Sequence, residues 1–199
     1  MRRAAVRPSI VGGTALTLVL ALVTSAAAGS VGDGMLRKQD VGLDQAKAPH
    51  ETTLLRASQA APGTCEEPES REYNGRLVSF AAKGSDSSSG ASLNENVLDF
   101  ASPAEAGAAF DDFQADDQAT VGCGDTEFRT NASLKKTPKG VGSRRYTFAA
   151  KVTVNGQKVT ATSICAVKGS HLVLLVFVGW PGSKPAPALI AKKAVKLLS

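Results

Sequence analysis

The sequence predicts an α+β fold: an antiparallel sheet of about five or six strands, helices packed on one face, and one disulfide. Three observations carry this expectation. Asn155-Gly156 sits between two alternating runs, the strongest short-range hairpin signal. Ser102-Pro103-Ala104-Glu105 offers an N-cap serine, a proline at the first helical position and a glutamate placed for a capping box. His171–Val178 is apolar on both parities, as a strand covered on both sides must be. Strands joined by tight hairpins are antiparallel, and helices set apart from them make the class α+β.

Taken in chain order, the first residues carry Arg2, Arg3 and Arg7 and no acid. An apolar run from Ile10 to Val23 follows, then Ser25-Ala26-Ala27-Ala28. A positive start, a short apolar stretch and an A-x-A site describe an export signal. The apolar run is shorter than the roughly 20 residues a membrane span needs. Cleavage after Ala28 is expected, with no stable membrane span left, so the organisation read here is 1–28 signal peptide, 29–64 loosely ordered segment and 65–199 folded domain. The whole chain carries a formal charge of +5; without the three leader arginines, 20 basic residues face 18 acidic ones. That balance gives no reason to expect a nucleic-acid partner.

Residues 29–64 are rich in Ala, Gly, Gln and charge, with a short helical turn expected around Met35–Asp40. Gln45–Pro62 reads as an exposed connection with some helix near Thr53–Gln59. Arg76–Ala82 and Ser92–Phe100 are strands, joined as a hairpin across the Gly84–Gly90 loop. In the helix opened at Ser102, Ala106, Ala109, Phe110 and Phe113 form one apolar stripe at i, i+3, i+4 and i+7. Asp116 and Asp117 oppose the negative end of a helix dipole, so the helix is expected to stop there.

A two-residue turn at Asn155-Gly156 pairs Val154 with Gln157 and fixes every later pair to numbers summing to 311. Tyr146, Phe148, Ala150 and Val152 then share a face with Cys165, Ser163, Ala161 and Val159. A second turn at Lys168–Ser170 leads into His171–Val178. Ala186–Leu198 closes the chain as a helix with Ile190, Ala194, Leu197 and Leu198 inward and Lys192, Lys193 and Lys196 near its C-terminal end.

Three cysteines, Cys65, Cys123 and Cys165, allow one bridge and one leftover thiol in an oxidising compartment. The residues alone leave open whether Cys123 pairs with Cys65 or with Cys165. Catalysis finds few parts. Only His50 and His171 are available as bases, and no nucleophile-elbow motif occurs. Asp111, Asp112, Asp116 and Asp117 lack calcium-loop spacing and read as a solvated helix face. Lys135, Lys136, Lys139, Arg144 and Arg145 surround Gly140-Val141-Gly142 and read as a solvated loop. Trp180, the sole tryptophan, suits either a core plug or a cleft rim.

Several of these residues also carry a resemblance. Cys65 after Pro62-Gly63, Val97-Leu98-Asp99-Phe100 leading into Ser102-Pro103-Ala104-Glu105-Ala106, Cys123 past that helix, the Ile164–Gly179 strand region and the terminal helix resemble actinobacterial secreted sensor domains. These are similar to the extracellular domain of mycobacterial serine/threonine protein kinase H, the PknH-like extracellular family. The resemblance spans about Met35–Leu198. It implies an antiparallel sheet with packed helices, a cleft for an extracellular ligand, no enzymatic activity and a Cys65–Cys123 disulfide. This chain departs from the pattern in having three cysteines where the kinase-linked version carries two disulfides, and Thr120-Val121-Gly122 where a tryptophan often precedes the second cysteine.

The expected function is therefore a secreted, non-catalytic binding or sensory module for a small molecule or cell-envelope component, needing no cofactor and no metal, its ligand-binding residues unknown. An envelope protein-interaction module without a small ligand is the alternative, and a hydrolase with an unrecognised site stands third.

Overall fold

The computed structural model describes residues 32–57, 70–82, 91–122, 133–135, 137, 139–154 and 157–198. Residues 1–28, expected above to be an export signal, Gly84–Gly90, Asn155-Gly156, Cys65 and Cys123 lie outside them.

Seven strands form one antiparallel sheet: β1 (Asp44–Ala57), β2 (Ser70–Ala81), β3 (Ser92–Asp99), β4 (Ser133–Lys135), β5 (Arg144–Val154), β6 (Gln157–Lys168) and β7 (His171–Val178). Their order is β1-β2-β3-β7-β6-β5-β4. The helices are α1 (Lys38–Val41), α2 (Pro103–Gly122) and α3 (Pro187–Leu197).

The expected count of five or six strands is corrected to seven. The two additional strands are the edges. Gln45–Pro62, read as a connection, is mostly β1, paired along β2 with irregular register around Lys47. A charged, Pro49-bearing strand with bulges suits an exposed edge, and those same features hide it from a pattern search. Three-residue β4 is too short for any periodicity to register.

The C-terminal meander follows the turn chemistry. Val154 pairs with Gln157, Tyr146 with Cys165 and Arg144 with Val167, all on the 311 register. β7, apolar on both faces, occupies the middle of the sheet between β3 and β6. In β2, Gly75 lies opposite Leu98; a Cβ there would come within 2.5 Å of the Leu98 side chain and the Val97 carbonyl.

Helices cover both faces, which corrects the expectation of one. On the first face α1 and α3 pack with Met35 and Leu36 over Val78, Phe80, Leu93, Val97, Ile164, Val173, Leu175 and Phe177. On the second, α2 buries Ala106, Ala109, Phe110 and Phe113 against Leu98, Tyr146, Phe148, Cys165, Leu172 and Leu174. The inner strands β2, β3, β6 and β7 feed both cores because side chains alternate between faces. Trp180 packs at the margin of the first core. Its ring meets Phe177 edge-on at 5.0 Å, and its Nε1–H donates to the Pro185 carbonyl at 3.0 Å.

α2 begins as expected: the Glu105 N–H donates to Ser102 Oγ at 3.2 Å, and Glu105 Oε2 accepts from the Ala101 N–H at 3.3 Å. It runs past Asp116 and Asp117 to Gly122, contrary to the expected stop. Asp117 is buried and accepts from the Tyr146 hydroxyl at 2.7 Å, a tertiary bond that outweighs the weak dipole penalty.

The one-disulfide expectation is likewise corrected. No disulfide is present among the described residues. Cys165 is fully buried beneath α2, paired across the strands with Tyr146 and Leu174, and takes part in no disulfide. There it acts as a small apolar side chain.

Candidate functional site

The site is a single buried acid and the charged rim above it. In β3, Leu93, Glu95, Val97 and Asp99 share a parity and point to the face covered by α1 and α3. Glu95 therefore falls where an apolar side chain belongs. It is 0 % exposed, and its strand neighbours on either side are Val78 and Leu175.

Glu95 Oε2 accepts the Leu36 N–H at 2.8 Å. Glu95 Oε1 is buried and has no hydrogen-bond partner. Burial pushes the carboxyl up from an ordinary 4.5 to about 7; the Leu36 N–H and the Arg76 guanidinium hold it down, and Asp40 pushes it further up. Desolvation prevails because an ionised carboxylate loses water on every side and regains one donor.

Further along the same parity, Arg76, Asp99 and His171 form the rim. Arg76 Nε and Nη2 reach Asp99 at 3.2 and 3.3 Å. His171 Nδ1 lies 2.7 Å from Asp99 Oδ1. Arg76 Nη1 also donates to the Asp33 carbonyl at 2.6 Å. Residues 33–36 are thus held twice from the sheet, by Arg76 at one end and by Glu95 at the other.

Three further contacts seat this segment. Asp40 accepts from the Arg37 N–H at 2.9 Å and faces Lys193 of α3 at 3.4 Å. Gly42 ends α1 in the left-handed region at φ 71°. Lys168 Nζ donates to the Leu198 carbonyl beside them.

A second polar group surrounds α2. Asp112 bonds Arg71 and the Tyr73 hydroxyl, the latter at 3.0 Å, while Asp111 bonds Arg144. Burial, followed by the bond to Asp112, raises the Tyr73 phenol; the Arg144 bond lowers the Asp111 carboxyl. Three of the helix acids read from sequence as a solvated face, Asp111, Asp112 and Asp117, are thus tied to the sheet. Among the basic loop residues, Arg144 also lies 4.5 Å over the Phe110 ring, and Arg145 donates to the Thr137 and Gly142 carbonyls. Lys135 and Lys139 are exposed, and Lys136 lies outside the described residues.

Of the two histidines, His50 lies in β1 with Nδ1 2.9 Å from the Ala48 carbonyl. His171 is joined to the rim, which the sequence reading missed. A signal for Glu95 existed: it alternates with Leu93 and Val97 in a segment recognised as a strand. Among the described residues no group of three or more His, Cys, Asp or Glu is placed to hold a metal ion. No described helix is long and apolar enough to cross a membrane.

No family model matches the chain, and no curated protein does. Among solved structures, the crystal structure of the extracellular domain of PknH from Mycobacterium tuberculosis is similar, with a TM-score of 0.47 and 12% identity over 82% of this chain and 91% of that chain.

Proposed function

We propose that this chain is an extracytoplasmic, non-catalytic sensory module that recognises a small molecule or a cell-envelope component. The observation that supports this reading is Glu95. A sensor needs an element with two arrangements that a bound group biases. One Glu95 oxygen holds the Leu36 main chain, while the other is sealed in an apolar layer without a donor. A ligand that supplies this donor, or a proton that neutralises the carboxylate, alters the hold on residues 33–36. The same surroundings argue against acid–base catalysis: across the strands the carboxylate faces Val78 and Leu175, not a nucleophile. The sequence pattern of residues 1–28, read as an export signal, supports placement outside the cytoplasm.

Native mass spectrometry of the protein purified from its own host is the test, run beside Glu95→Leu. The reading expects a bound mass on the parent chain that the variant lacks. Bare protein in both preparations, or measured turnover abolished by one substitution, overturns it.

A further inference from the structure

α3 turns two unlike faces outward and inward. Ile190, Ala191, Ala194 and Val195 are buried in the first core. Leu189, Lys192, Lys193 and Lys196, at i, i+3, i+4 and i+7, are exposed and form one outward stripe. Leu189 is 58 % exposed and is the large apolar side chain left in solvent among the described residues.

The basic stripe extends beyond the helix. The Lys139-Gly140 turn abuts it: a Cβ on Gly140 would stand 3.5 Å from Lys192 Cε. Neighbouring α1 adds Lys38. The acids here are Asp40, facing Lys193, and Asp44, paired with Lys38. Among the described residues, five lysines against two carboxylates leave a local excess of three positive charges around one exposed leucine.

We infer that the outer face of α3 docks on an anionic phospholipid bilayer. Lysines draw such a helix to acidic headgroups, and their alkyl stems let an apolar neighbour sink below the headgroup level. The leucine selects the bilayer over a hydrophilic polyanion. A wall polymer of phosphates and sugars gives an exposed leucine nothing to enter, whereas a bilayer buries it. The stripe is parallel to the helix axis, so Leu189 and all three helix lysines meet one plane together.

The test is vesicle flotation with the chain from Gly29 onward, which retains every described element. Vesicles of phosphatidylglycerol and phosphatidylcholine are compared with phosphatidylcholine alone, at low and high salt. Binding is expected on the anionic vesicles, at least tenfold above the neutral ones, and lost at high salt. Lys192→Gln with Lys196→Gln lowers it by about 25-fold, at roughly fivefold per lysine. Leu189→Ser lowers it severalfold without changing the salt dependence. Both variants alter exposed positions, and unchanged circular dichroism verifies the fold. Equal affinity for neutral vesicles, no flotation, or equally tight binding to soluble polyglycerol phosphate that Leu189→Ser leaves unchanged overturns the inference.

Discussion

The two faces of the sheet solve the same packing task with different chemistry. Beneath α2, polar groups ring an aromatic core and find partners: Asp117 with Tyr146, Asp112 with Arg71 and Tyr73, Asp111 with Arg144. Beneath α1 and α3 the core is mostly aliphatic around Phe80 and Phe177, and the acid inside it is half satisfied. Acids at a core margin can recruit long basic partners from solvent. An acid at the centre of a dry layer meets only what the backbone brings, here one N–H. The first arrangement fixes a helix, whereas the second leaves a group whose charge depends on conditions near neutrality.

The faces are first compared by large truncations. Phe177→Ala beneath α3 and Phe113→Ala beneath α2 each remove a fully buried ring. Each is expected to cost about 3–5 kcal/mol in urea unfolding. A loss under 1 kcal/mol for either shows that its core is not packed as described.

Next comes pH. Glu95 is raised from 4.5 to about 7, chiefly by burial. Below 4.5 both folded and unfolded chains hold the proton. Between 4.5 and about 7 the folded chain holds it and the unfolded chain does not, so stability falls as pH rises through this window. The contribution is of order 3 kcal/mol, fully present below 4.5 and gone above about 7. Glu95→Gln flattens this segment of the stability profile, while the α2-face variants leave it in place. Unfolding curves at pH 5 and pH 8 decide between these outcomes.

A smaller effect is expected for Tyr146→Phe, which removes the hydroxyl donor to Asp117 at about 1–3 kcal/mol. The smallest is Arg144→Ala. Its partner Asp111 is exposed, so the loss stays within about 1 kcal/mol and shrinks further in salt. If Arg144→Ala exceeds Tyr146→Phe, the margin of α2 is held by charge and not by the buried bond.

Much of the fold was legible in local chemistry. Asn155-Gly156 set the β5–β6 register residue by residue, and Ser102-Pro103 set where α2 starts. The apolar parities of 171–178 placed β7 centrally. The edges were not legible. β1 is broken by bulges near Lys47 and Pro49, and β4 is shorter than one alternation. The end of α2 was misplaced because Tyr146, far along the chain, holds Asp117. The site was the least legible part. Glu95 and Asp99 lie on the apolar parity of a recognised strand, but nothing local says that Leu36, Arg76 and His171 converge on them.

The strand order has a consequence for how such a chain is made. β7, the middle of the sheet, is the last strand encoded; Asp99 waits 72 residues for His171. Until then β3 and β6 each lack the inner neighbour that β7 supplies. Closure over so long a separation is slow, and the sheet cannot be completed until nearly all of the polypeptide has been made. That order is compatible with the export proposed above, in which the chain would fold only after crossing a membrane.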